Sequence, residues 1–171
     1  MIFNTETSVI FDIDGTVADI SHRLHFIDGS KGEKDWDSFF AEENLIKDKP
    51  IPETWAILAA ILRVHHPRVL FVTGRPERQR HATYRWLTDA NCKHRHLAAH
   101  YWRFEHHNNT PLLFMRSDTD RRPSHEVKED LVRRVRASGF NPRIAFEDRK
   151  QDADMWRRNG LICYQVAEGD Y

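Results

Sequence analysis

The chain has 171 residues, 40% of them hydrophobic and 30% charged, with 26 Lys and Arg against 26 Asp and Glu. That length suits one domain with a full core and excludes two large ones, while five Trp and ten Phe exclude a disordered chain. Two cysteines, Cys92 and Cys163, lie far apart and outside any CxxC unit, which speaks against a zinc ribbon or a disulfide framework; the start MIFNTETSVIF lacks a signal-peptide pattern and no stretch reaches transmembrane length, so a cytoplasmic protein with no membrane partner is expected.

In chain order, SVIFDI (8–13) is the first of five continuous apolar runs that read as strands, followed by RVLFVT (68–73), PLLFM (111–115), RIAFE (143–147) and LICYQV (161–166). Runs without alternation predict a sheet covered on both faces. Residues 20–51, with the polar GSKGEK and the aromatic-rich WDSFF, read as a small cap-like insert after the first strand. Helices are predicted over 52–66, 76–90, 123–139 and 150–160; the first opens on Pro, and the last two end in glycine. Strands alternating with helices predict right-handed βαβ units and an α/β fold with a central, mainly parallel five-stranded sheet. Sites in such sheets form at the carboxyl ends of the strands.

Charge is unevenly spread. Residues 1–52 hold 11 acidic and 5 basic residues, and residues 53–143 hold 9 and 17, which suggests an anion-binding middle segment as well as the plainer reading of a solvated face. The group Cys92, His94, His96, His100, His106 and His107 matches no familiar zinc spacing and is expected at the surface, with Trp102 and Phe104 in the core.

Asp12 and Asp14 stand at the end of the first strand, two apart and so on one side of an extended chain, with Ile13 between them turned into the core and Gly15 permitting a sharp turn. Asp-Gly pairs often serve only as turns. Three further pieces stand at the ends of later elements: Thr73-Gly74-Arg75, Lys128 in HEVKEDL, and Glu147-Asp148 with Asp152 and Asp154 beyond. Asp19 reads as a local cap or turn residue.

This order of DxDGT, Thr, Lys and an acidic pair resembles the haloacid dehalogenase (HAD) superfamily of aspartate-nucleophile phosphotransferases, over nearly the whole chain. Its closing segment FEDRKQDADMWRRNGLICYQVAEGDY is similar to the 3′-phosphatase domain of phage polynucleotide kinase/phosphatases, with their DDR, MWR, QVA and GD(F/Y) series. ADISHRLHFI and DWDSFF resemble small phage and bacterial relatives of that domain. The resemblance implies a Rossmann-like HAD fold in a single domain over 1–171, with 96–123 a local elaboration.

It also implies roles. Asp12 would be the nucleophile and Asp14 the general acid and base. Mg²⁺ would be held by Asp12, the Asp14 carbonyl and Asp148. Thr73 and Lys128 would bind phosphoryl oxygens. Glu147 departs from the relatives' Asp-Asp pair, and Asp152 is an alternative acidic group. Gly74, Arg75, Arg116 and Arg121, with Arg122 and Arg149, are candidate contacts to a polyanion. The expected substrate is a 3′-phosphorylated end of DNA or RNA, with a nucleotide or small metabolite as the alternative. A non-catalytic module binding nucleic-acid ends or a protein is a second alternative, and a homo-oligomer stays open. No GxxxxGK(S/T) loop is present, so no kinase activity is expected from this chain.

Overall fold

The computed structural model describes residues 7–29, 32–65, 68–88, 112–169 and 171. Cys92, the histidines from 94 to 107, Trp102 and Phe104 lie outside the described residues.

Five parallel strands form the central sheet: β1 (Thr7–Phe11), β4 (Arg68–Pro76), β5 (Leu113–Arg116), β6 (Asn141–Glu147) and β7 (Ile162–Gln165). Their spatial order is β5-β4-β1-β6-β7. Every residue of β1 is buried, as expected of a strand that pairs on both edges and is covered on both faces. Helices α3 (Pro52–His65), α4 (Arg80–Thr88), α5 (Ser124–Ala137) and α6 (Lys150–Arg158) alternate with the strands. The α5 helix lies on β4, β5 and β6, and α6 on β6 and β7. Gly139 and Gly160, both at positive φ, end α5 and α6 as the sequence suggests.

The chain winds from β1 to β4 and β5 on one side, then returns to β6 and β7 on the other. The strand order therefore switches at β1, and a crevice opens beyond the carboxyl ends of β4, β1 and β6. Residues 12–14, 73–75 and 147–148 all stand there. The β4–β5 ladder breaks between Thr73 and Pro76, so Gly74 and Arg75 leave the regular pairing and Arg75 is re-aimed toward β1. Of the stretch 96–123, residues 113–116 are β5 itself and 117–123 are the loop from β5 to α5.

The insert is closed at its base by a two-stranded antiparallel ribbon, β2 (Ala18–Asp19) with β3 (Lys49–Pro50). Between them lie a 3₁₀ turn over Ser21–Phe26 and two single-turn helices, α1 (Trp36–Phe39) and α2 (Glu42–Leu45). Asp19 accepts a 2.9 Å bond from the Ser21 amide, the local turn role expected of it. Among the described residues, no helix is long and apolar enough to cross a membrane.

Candidate active site

β1 ends at Phe11, whose ring stacks on Phe146 of β6 at 4.5 Å. The Asp12 amide donates to the Phe146 carbonyl at 3.0 Å, which fixes the start of the turn after β1 against β6. Ile13 is fully buried, so it anchors the turn while Asp12 and Asp14 flank it. Gly15 has φ +81, a conformation that side chains resist, and a Cβ there would also overlap the Asp148 carboxylate.

Lys128 on α5 is the central cation. Its Nζ lies 2.8 Å from Asp12 Oδ1, 2.7 Å from Glu147 Oε2 and 2.8 Å from Asp152 Oδ2, all buried. Burial acts to lower the Lys128 pKa, but Asp12, Asp152 and Glu147 outweigh it, and the side chain stays a cation. Two of these carboxylates have further partners. Glu147 Oε2 accepts from Trp156 Nε1 at 3.0 Å, and Asp152 Oδ2 from Ser124 Oγ at 2.8 Å. Glu147 is thus a buried strut that holds Lys128.

One ammonium among so many anions leaves negative charge in excess. Burial raises the Asp12 carboxyl most, Lys128 pulls it back, and Asp148 and Asp14 push it up again, to about 7. Asp148 is likewise raised, chiefly by burial. Oxygens of Asp12, Glu147 and Asp148 come within 4.8 Å of one another, a set of hard donors that fits a divalent cation. Gly169 adds to the fit, because a Cβ there would overlap the Asp148 carboxylate as one on Gly15 would. Tyr171 closes this corner: its hydroxyl lies 2.8 Å from Asp148 Oδ2 and 2.9 Å from the Asp14 carbonyl.

Asp14 faces a different environment. Arg75 Nε reaches its two oxygens at 3.0 and 3.2 Å, and Arg75 Nη2 and Arg23 Nη2 reach Oδ1 at 2.6 and 2.5 Å. Asp48 ties the two arginines together, with Arg23 Nε at 2.8 Å and Arg75 Nη2 at 2.6 Å. Arg23 also sits 4.2 Å over the Phe39 ring and donates to the Phe39 carbonyl, so the insert braces the clamp. Burial alone would raise the Asp14 carboxyl, but Arg75 and Arg23 outweigh it and hold it well below the usual carboxylate range.

Above these groups lies a cleft of about 300 Å³, with Asp12, Asp14, Lys128 and Gly74 along its floor. One side comes from the insert (Lys34, Trp36, Phe39, Phe40), the other from the β5–α5 loop and Arg149. Arg116 borders the cleft but is engaged, donating to the carbonyls of Gly74 at 2.9 Å and Arg122 at 2.7 Å. Arg122 pairs with Asp120 and Asp130, whereas Arg121 lines the cleft unpaired among the described residues. Thr73 is fully buried within β4, just before the break in its ladder, where its hydroxyl accepts from the Arg75 amide at 3.2 Å.

The fold therefore gathers Asp12, Asp14, Gly74, Arg75, Lys128, Glu147, Asp148 and Asp152 around one point. Arg23, Asp48 and Tyr171 join them without having been singled out from the sequence. Arg23 and Tyr171 lie inside ADISHRLHFI and the closing AEGDY, the stretches quoted for the resemblance, so a signal was present there; IKDKP around Asp48 carries none.

The model of the polynucleotide kinase PNKP phosphatase domain matches residues 6–171. Two solved structures, of a Pnkp1/Rnl/Hen1 complex and of the Pnkp1/Rnl/Hen1 RNA repair complex, contain chains that are 23% identical with a TM-score of 0.64. They cover 97% and 98% of this chain, which spans only 47% and 44% of theirs, about half their length. A haloacid dehalogenase-like hydrolase from Streptococcus pneumoniae is 11% identical with a TM-score of 0.57, covering 93% of this chain and 83% of its own. Those likenesses show the same fold, and the family model, matched over nearly every residue from β1 to Tyr171, shows that the chain belongs to the PNKP phosphatase family of HAD-type domains.

Proposed function

We propose that this HAD-type phosphatase domain is a Mg²⁺-dependent phosphomonoesterase that removes a 3′-phosphate from a polynucleotide end through an aspartyl-phosphate on Asp12. The observation that carries the reading is Asp12 itself, buried on the cleft floor and held by Lys128. A carboxylate so placed has one face committed to a cation and the other toward a substrate.

In the first half, an Asp12 oxygen attacks phosphorus, the ester P–O bond breaks, and the leaving 3′ oxygen takes a proton from Asp14. In the second, water attacks phosphorus, its proton passes to Asp14, and the Asp12–phosphorus bond breaks to release phosphate. The two arginines on Asp14 favour its anion, which suits the second half, where Asp14 accepts the proton. The first half demands that this clamp give way enough for Asp14 to carry one. Lys128 offsets charge on Asp12 throughout, and Glu147 and Asp152 hold Lys128 in place. Asp12, Asp148 and the Asp14 carbonyl would hold Mg²⁺, which supplies positive charge against the phosphoryl oxygens when bound. Thr73, just before the ladder break in β4, would add a phosphoryl contact on the family pattern.

The size of the cleft, at the small end for ligand sites, also suits a mononucleotide. Phosphate release from 3′-phosphorylated oligonucleotide, 5′-phosphorylated oligonucleotide and mononucleotides, each with Mg²⁺ and with EDTA, decides between the readings. Release from the 3′-phosphorylated oligonucleotide, lost in EDTA, is expected. Preference for mononucleotides would remove the polynucleotide substrate, and tight oligonucleotide binding without release from any of them would remove the enzyme.

A further inference from the structure

Trp36 is exposed by 40%, one of five large apolar side chains in that state among the described residues, and it borders the cleft that holds Asp12. A single exposed aromatic is ordinary. This one is built into place. Its indole stacks on Phe40 at 6.0 Å with 19° between planes and meets Phe39 edge-on at 5.7 Å. The turn beneath it is pinned by Asp35, whose side chain accepts from the Ser38 amide at 2.9 Å and whose own amide donates to the Phe26 carbonyl at 2.8 Å.

The charges around the same cleft are unequal in a telling way. The rim acids Asp118 and Asp120 are already engaged, by the Arg78 amide and by Arg122. Lys34, Arg121 and Arg149 line the cleft and form no ion pair among the described residues; Lys34 Nζ lies 5.6 Å over the Trp36 ring, from which a stacking base would displace it, and the Arg149 guanidinium 5.4 Å over the Tyr171 ring. Lys128, on the floor, is fully used by carboxylates. A terminal phosphate alone does not call for three further cations at the rim, whereas a phosphate with a flanking phosphodiester and a base does.

We infer that Trp36 is a specificity-determining residue that stacks on the base of the terminal nucleotide, while Arg121 and its neighbours take the adjoining phosphodiester. This rests on the polynucleotide reading above. Stacking on a π-face tolerates every base and demands an unpaired one. The enzyme would thus act on single-stranded or frayed ends of any sequence.

The test compares 3′-phosphorylated oligonucleotides with a normal or an abasic terminal nucleotide, on the unaltered protein, Trp36→Phe and Trp36→Ala. On the unaltered protein the abasic end should raise KM about tenfold with little change in kcat, a comparison that needs no variant to fold. Trp36→Ala should raise KM for the normal end by about the same factor and erase the difference between substrates, and Trp36→Phe should retain most of it. Equal KM for both ends on the unaltered protein, or losses that multiply in Trp36→Ala, would overturn the stacking role with the polynucleotide activity intact. Hydrolysis of p-nitrophenyl phosphate with none of either oligonucleotide would overturn the underlying reading as well.

Discussion

Lys128 Nζ stands 2.8 Å from Asp12 Oδ1, with both side chains buried, and the same nitrogen serves Glu147 and Asp152. Removing it would strand three carboxylates away from water. Lys128→Met should therefore cost about 3–5 kcal/mol of stability, since breaking a buried pair from one side leaves uncompensated charge. It should also lower kcat by roughly 10²–10³-fold. Thermal unfolding and steady-state kinetics check the two halves, and near-normal turnover would remove Lys128 from the mechanism.

Arg23 serves Asp14, Asp48 and the Phe39 carbonyl at once. A lysine ammonium cannot span that fork. Arg23→Lys should thus lose nearly as much as Arg23→Ala, on the order of 10²-fold in kcat. Recovery of full activity by the lysine variant would mean that charge alone, and not the two-armed clamp, matters at Asp14.

Glu147 and Asp148 are adjacent but differ in use. Glu147 Oε2 is taken by Lys128 and Trp156, while Asp148 meets Tyr171 in the corner by the Asp14 carbonyl. Calorimetric titration with Mg²⁺ and no substrate should show no binding to Asp148→Asn, and binding weakened by roughly 10–100-fold in Glu147→Gln, as expected of a group that acts through its neighbours. The opposite ranking would make Glu147 the ligand.

A methyl group on Gly169 would overlap the Asp148 carboxylate and turn it aside. Gly169→Ala should lose activity about as severely as Asp148→Asn while its unfolding temperature stays within roughly 4 °C of the parent, a stability change of about 1 kcal/mol. Full activity in Gly169→Ala would show that Asp148 tolerates another position.

The strands and helices were legible because each apolar run is long enough to name a buried strand and ends in residues that stop one. The parallel pairing, the covered faces and the meeting of Asp12, Lys128 and Asp148 follow from that alternation, whereas the strand order β5-β4-β1-β6-β7 does not. Boundaries slipped where local chemistry intervened: β4 runs on to Pro76 because the ladder resumes after Gly74 and Arg75, and the predicted helix over 76–90 begins as a 3₁₀ turn at Glu77–Gln79. The Arg23–Asp48–Arg75 clamp was not legible. Its members are 25 and 27 residues apart, and the insert that folds Arg23 inward has no periodicity to reveal its shape. Tyr171 shows the same limit at greater range, since its partner Asp14 is 157 residues away. Arg75 was visible as a candidate for substrate, but its role toward Asp14 was not: its Nε and Nη2 serve Asp14 and Asp48, while its buried Nη1 has no hydrogen-bond partner among the described residues.

The stereochemical course at phosphorus tests the central claim, that Asp12 attacks, most directly. A 3′-phosphorylated oligonucleotide made chiral at phosphorus with oxygen isotopes and sulfur, hydrolysed in labelled water, should yield product with retained configuration, because two in-line displacements, on Asp12 and then by water, each invert it. Net inversion would mean that water attacks the ester directly and that Asp12 is not the nucleophile.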